Sequence, residues 1–413
     1  MRIKYRNLIC LIALVFFNAA IAQYKGTGSV TQGKATDILV SNLFSCTGGR
    51  VGGLANIKST DGLTWKVPAD VNFTNASFPF SSDLHNSCIG VNNTTTSQAL
   101  SKLTESDIVT IDASGEVITA FVFADNYFEM YINGVAVGKD KVPFTQFNSS
   151  ILRFKVNRPF TIAMKLVDWE ENLGVGSENN NGFAYHPGDG GMVAVFMDAQ
   201  KNILATTNDK WRAQTFYTSP IKDLTCPVES GKYRLTSNCD MTDVNDGSKY
   251  YGLHWAIPNG WENTSFVDTI WPFASMYSNT EIGVNNKPAY TNFVDVFDNS
   301  ANDAQFIWSS NVILDNLVLT RFTVPALTNN ADQIKALKNW NPSPNPVNEK
   351  LHLNLGEIKN YQPLVKLKDS KMSNLLTLNT LQDEISLEGF PAGIYFLEVS
   401  CMNKIEVRKI IKN

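Results

Sequence analysis

Short runs of alternating apolar and polar residues fill the chain from residue 23 to residue 325, broken roughly every ten positions by Gly, Asn, Asp or Pro. No helical periodicity is sustained over three or four turns, so the pattern predicts an all-β sandwich. The clearest unit is the strand Gly115 to Phe123, a turn at Ala124-Asp125-Asn126, and a second strand Tyr127 to Ile132. Asn133-Gly134 then supplies the two positive-φ residues of a tight hairpin, and Val135-Ala136-Val137 returns. Further strands are expected at Ile151–Val156, Phe160–Val167 and Met192–Met197.

A segment is duplicated within this region. Trp65-Lys66-Val67-Pro68 recurs as Trp255-Ala256-Ile257-Pro258, and Asn75-Ala76-Ser77-Phe78 as Asn263-Thr264-Ser265-Phe266. Pro79-Phe80-Ser81-Ser82 matches Pro272-Phe273-Ala274-Ser275, and Ile89-Gly90-Val91-Asn92-Asn93 matches Ile282-Gly283-Val284-Asn285-Asn286. A spacing of about 190 residues exceeds any solenoid period. The blocks near 65–93 and 255–286 therefore mark two related sandwich units, or one elaborated sandwich that uses a module twice. The aromatic residues Trp65, Trp255, Phe78 and Phe80 inside them read as core.

The two ends of the chain carry addresses. Arg2, Lys4 and Arg6 precede an apolar run, Leu8 to Phe17, and Ala20-Ile21-Ala22 is a small-residue cleavage site, so residues 1–22 read as a secretory signal peptide. No later run reaches the roughly 20 apolar residues of a membrane-spanning helix. Residues 341–413 follow a linker at 326–340. They open with Asn341-Pro342-Ser343-Pro344-Asn345-Pro346, alternate through Leu351, Leu353 and Leu355, and contain Phe390-Pro391-Ala392-Gly393-Ile394-Tyr395-Phe396. They close with Lys409-Ile410-Ile411-Lys412. This segment resembles the C-terminal type A sorting domain of the type IX secretion system of Bacteroidetes. The resemblance implies a small Ig-like β-sandwich, the secretion machinery as partner, and delivery through the periplasm to the outer cell surface or medium.

Composition agrees with export. Losing Cys10 with the signal peptide leaves five cysteines, and an oxidising compartment favours pairing. Four of them permit three connectivities; proximity and repeat boundaries favour Cys46–Cys88 and Cys226–Cys239, with Cys401 left over. Zinc ligand spacing is absent, since no Cys-x-x-Cys occurs and the four histidines are scattered. Removing Arg2, Lys4 and Arg6 takes the net charge from −4 to −7, which with no Lys/Arg cluster argues against nucleic acid as a partner.

Within the central region, Ala120 to Gly138 (Ala-Phe-Val-Phe-Ala-Asp-Asn-Tyr-Phe-Glu-Met-Tyr-Ile-Asn-Gly-Val-Ala-Val-Gly) resembles the galactose-binding-like, jelly-roll type β-sandwich. Phe160-Thr161-Ile162-Ala163-Met164, Asn208-Asp209-Lys210-Trp211 and Asp268-Thr269-Ile270-Trp271-Pro272 are similar to further elements of that family. Asn75-Ala76-Ser77-Phe78-Pro79 carries Phe where the family pattern has Trp. The resemblance implies a ligand, carbohydrate first among them, held on loops at one end of the sheets. Those loops carry Asp125, Asn126, Trp169, Tyr185, His186 and Asp189: one or two stacking faces and several hydrogen-bonding groups, the mixture a sugar needs.

Each of these has a plainer reading. His186 also fits a loop cap, Trp169 also fits a core residue, and Asp168-Trp169-Glu170-Glu171 reads as a solvated strand end. Cys239 to Gly247 is acidic and glycine-terminated; it reads as a solvated turn, with structural calcium as the alternative. No catalytic motif, metal cluster or cofactor loop stands out. The leading expectation is a secreted or surface binding protein for a neutral or mildly basic glycan. A polysaccharide-degrading enzyme and a structural or adhesive surface protein are the alternatives.

Overall fold

The computed structural model describes residues 24–413 except 145, 180–185, 244–246, 300–301, 303, 327–339, 362, 379–382 and 402–403. The signal peptide, nearly all of the linker and Tyr185 lie outside the described residues, as does the side chain of Cys401. The chain forms two compact units that divide after Pro325.

The first unit is built on two large sheets. The seven-stranded sheet runs Ser29–Gln32, Tyr251–His254, Arg212–Ile221, Asp315–Val324, Phe160–Val167, Tyr127–Ile132, Val135–Lys139, every neighbour antiparallel. The eight-stranded sheet has the path Ser275–Tyr277, Phe306–Trp308, Gly191–Met197, Glu116–Asp125, Asn148–Val156, Ser82–Asn86. Ile203–Thr206 pairs with Gly191–Met197, and Ile108–Thr110 runs parallel to Asn148–Val156.

Side-chain parity shows that the seven-stranded sheet is buried on both faces. Ile162, Met164 and Leu166 with Phe128, Met130 and Ile132 enter the core shared with the eight-stranded sheet. Their neighbours Ala163, Val167 and Tyr127 face a second core with Trp169, Trp255, Trp261 and Trp271. That second core is closed partly by a small sheet, Asp37–Val40, Leu54–Lys58 and Thr64–Val67, whose Ala55, Ile57 and Val67 are buried there. Such a sheet needs apolar residues in both registers, which is why Phe160–Val167 reads as a nearly continuous apolar run.

The predicted hairpin forms as expected, with φ of 52° at Asn133 and 84° at Gly134. The turn expected at Ala124-Asp125-Asn126 is shorter: Ala124 and Asp125 remain in the strand, opposite Met192 and Gly191. The chain crosses from one sheet to the other at Asn126, through a cis Asp125–Asn126 peptide. Both expected disulfides are present, Cys46–Cys88 and Cys226–Cys239.

The duplicated blocks share one backbone turn. Asn75 N–H bonds to Asn72 C=O and Phe78 N–H to Asn75 C=O; Asn263 bonds to Gly260 and Phe266 to Asn263 in the same way. Each turn is closed by a buried cation from the seven-stranded sheet. Lys139 Nζ donates to the carbonyls of Asn72 (2.7 Å) and Asn75 (2.9 Å), and the Arg321 guanidinium to those of Trp261 and Asn263. The sequence repeat is therefore a repeated way of wrapping a cation, which offsets part of the cost of burying it.

The second unit packs a two-stranded sheet, Lys350–His352 with Glu384–Ser386, with a four-stranded one. The latter runs Asn374–Leu378, Leu364–Lys368, Gly393–Cys401, Lys404–Lys412. Leu351, Leu353, Val365, Leu367, Leu397, Val399 and Ile410 fill the core. The Pro-Asn-Pro and Lys-Ile-Ile-Lys motifs meet here. Prolines 344 and 346 have no N–H to offer, so the Asn345 side chain stands in for backbone. It donates to Lys409 C=O (2.7 Å) and accepts from Ile411 N–H (2.9 Å). The Phe-Pro-Ala-Gly-Ile-Tyr motif closes a turn, with Tyr395 O–H donating to Pro391 C=O at 2.7 Å and the Phe390 ring edge-on to Tyr395.

Candidate functional site

Four carboxylates converge where the strand Glu116–Asp125 ends and the loops after Val167 and before Gly191 begin. Asp125 is placed by its ladder pairing with Gly191, two residues from Asp189. Asn126 donates to Asp125 Oδ1 (2.5 Å) and accepts from Trp169 N–H (2.6 Å), fixing the entry to the next loop. Asp168 is held by its own N–H on Asn316 C=O. Glu178 and His186 form an isolated bridge, bonded in both directions, and the Arg50 guanidinium pairs with the Glu178 carboxylate. Gly188 lies against the centre: a Cβ there would sit 3.2 Å from both oxygens of Asp168 and 3.2 Å from Glu178 Oε1.

Burial and mutual repulsion raise the acids' proton affinity together. Asp125 is pushed well above the ordinary carboxylate range by burial first, then by the Asp189 and Glu178 charges, against a weaker pull from Lys287 and Arg50. Asp168 is raised by burial, then by Glu178, Asp125 and Asp189. Asp189 is raised to about 6, again chiefly by burial and Glu178. Asp168 is only 2% exposed, and its Oδ1 has no hydrogen-bond partner among the described residues. The arrangement is a set of acceptors with too few donors.

Asp125, Asn126, His186 and Asp189, chosen from sequence, thus come to one place. Trp169 does not present a stacking face. It is 1% exposed, its indole N–H donates to Gly53 C=O at 3.1 Å, and its ring packs edge-on against Tyr127 in the second core. A ring enclosed on this scale has no surface for a sugar, so its place in the binding set is corrected to a core residue. The strand end at Asp168 to Glu171 is likewise not solvated: Asp168 and Glu170 are buried. Glu170 accepts from Gly174 and Gly176 N–H and from Tyr217 O–H. Glu178 and Arg50 were not singled out from sequence, and Asp168 was read there only as part of a solvated strand end; the glycine run around Gly188 alone hints at their close approach.

His186 Nδ1 lies 2.5 Å from Asp243 Oδ1, tying this cluster to the acidic turn after Cys239. In that turn Lys222 takes the oxygens of Asp240, Thr242 and Asp243. A side-chain cation thus takes part of the oxygen set that the sequence places in this turn. Among the described residues no three His, Cys, Asp or Glu side chains are arranged to hold a metal. None of the described helices is long and apolar enough to cross a membrane.

Comparison with curated proteins finds no match. Among solved structures, a Faecalibacterium prausnitzii beta-glucuronidase aligns at 11% identity over 94% of this chain and 45% of its own, with a TM-score of 0.14. The chain spans less than half the length of that enzyme, and a score so low carries no argument about fold or activity. The family model of the secretion system C-terminal sorting domain matches residues 343–413, the segment in which Asn345 joins the two ends of the motif. Residues 343–413 are accordingly a type IX secretion C-terminal sorting domain, which marks the protein for export to the cell surface or beyond.

Proposed function

We propose that the first unit is an exported glycan-binding module of galactose-binding-like type, with its ligand seated at the carboxylate cluster. The observation that carries this reading is the part-exposed Asp189 and exposed His186 at the rim of the buried Asp125, Asp168 and Glu178. Sugar hydroxyls are donors of the right kind for such acceptors, and a hydrogen bond to a charged or shared-proton carboxylate contributes about 1.5–3 kcal/mol. Asp189 and His186 form the outer part of the cluster, and His186 is exposed. The net negative charge of the mature chain disfavours anionic sugars and suits neutral or amino sugars.

The test is a glycan array probed with the mature protein, followed by titration calorimetry on the best neutral ligand. Asp189→Asn and His186→Ala should each weaken binding about ten-fold while leaving thermal stability nearly unchanged. Unchanged affinity in both variants would remove the ligand from this site. No glycan bound by the wild type would leave the adhesive, structural reading in its place.

A further inference from the structure

The repeated blocks include a Pro-Phe pair in both copies, Pro79-Phe80 and Pro272-Phe273, and the two copies use the phenylalanine differently. In the first, Lys139 Nζ lies 4.3 Å from the Phe80 ring centre, but that ammonium is buried and committed to the Asn72 and Asn75 carbonyls. In the second, Arg321 closes the turn, and a different cation, Arg212, stacks on Phe273 with its Cζ 3.7 Å from the ring centre. Arg212 donates one bond, from Nη1 to Trp271 C=O at 3.3 Å. Lys232 Nζ stands 6.0 Å from the Phe273 ring centre and 5.8 Å from that of Tyr233. Among the described residues neither Arg212 nor Lys232 enters an ion pair.

Phe273 is 53% exposed and Tyr233 46%, with Ile270 and Met276 exposed on either side of Phe273 in sequence. An acidic chain that leaves two neighbouring cations without a carboxylate, over two open rings, has a local reversal of charge there. Aromatic faces stack on the apolar face of a sugar ring, and a guanidinium with no carboxylate partner can take a planar anion.

We propose that Arg212, Lys232, Tyr233 and Phe273 form a second saccharide site, one that takes a carboxylated sugar, a uronate unit of an acidic glycan. The Tyr233 ring carries the sugar face, Phe273 holds Arg212 in place, and Lys232 and Arg212 take the carboxylate. This site shares no residue with the carboxylate cluster.

The test uses the mature protein with an oligogalacturonate and, as the uncharged control, its methyl ester. The acid oligomer should bind, bind at least ten-fold more tightly than the ester, and weaken as salt rises. Lys232→Glu and Tyr233→Ala should each lower affinity at least ten-fold. Arg212→Lys, which keeps the charge and loses the fork, should give an intermediate loss. Thermal midpoints check folding, and Lys232→Gln serves if the Glu variant is unstable. Equal affinity for acid and ester, no binding of the acid by the wild type, or indifference to both Lys232 variants would overturn the proposal.

Discussion

Replacing Trp169 by alanine separates a core role from a ligand role. Truncating a buried Trp to Ala costs about 3–5 kcal/mol, from lost transfer energy and the cavity left behind. The Gly53 carbonyl loses its indole donor (3.1 Å) in a closed site, adding about 1 kcal/mol. The edge-on contact with Tyr127 disappears as well. For a unit of this size each kcal/mol lowers the melting temperature by about 2–4 °C, so the expected drop is roughly 10–20 °C. Trp169→Phe keeps a ring against Tyr127 and orphans only the carbonyl, and should cost about 2 kcal/mol. Denaturant unfolding of the mature protein followed by Trp fluorescence is the assay, since seven of the eight Trp residues lie before residue 325. A loss under about 1 kcal/mol in the alanine variant, together with weakened glycan binding, would refute the core assignment.

Three more expectations follow from the geometry. Opening Cys46–Cys88, which closes a 42-residue separation, should cost about 4 kcal/mol, and opening Cys226–Cys239, separated by 13, about 3 kcal/mol; free thiols at all four positions in exported protein would exclude both. Asp140 and Glu170, raised to about 7, and Asp189 and Asp315, raised to about 6, owe this chiefly to burial. Their unfolded values lie near 4, so between about pH 4 and 7 the native state holds protons that the unfolded chain has released, and their stabilising contribution is lost as pH rises; urea midpoints that climb across that window would contradict the sign. Deleting the chain from Pro344 onward should hold the protein inside the cell envelope, as read by surface protease accessibility, and normal delivery of the truncated form would sink that role for the tail.

Much of the scaffold was legible because its signals are local. Asn133-Gly134 forces a hairpin wherever it stands, and the alternation around Phe128, Met130 and Ile132 sorts side chains by face without reference to the rest of the molecule. The two disulfides follow from few cysteines and short separations. The site was only half legible because its key facts are long-range. Trp169 follows a strand and looks like a loop platform until the small sheet brings Gly53 over it, 116 residues away in sequence. Asp168 and Glu178 belong with Asp125 only once Glu116–Asp125 and Gly191–Met197 are known to be neighbours. The duplicated blocks were found as sequence, but their purpose, wrapping Lys139 and Arg321, depends on cations from strands outside the repeat.

Asn345 has one more implication, for how an export tag can be trusted. The opening motif of the tail is fastened to Lys409 and Ile411, more than sixty residues downstream. A chain broken or prematurely stopped between them keeps the Pro-Asn-Pro letters but cannot build the surface those letters help to form. The tag is therefore complete only when the tail is: a break between Asn345 and Lys409 takes away the closed form of the signal along with the end of the chain.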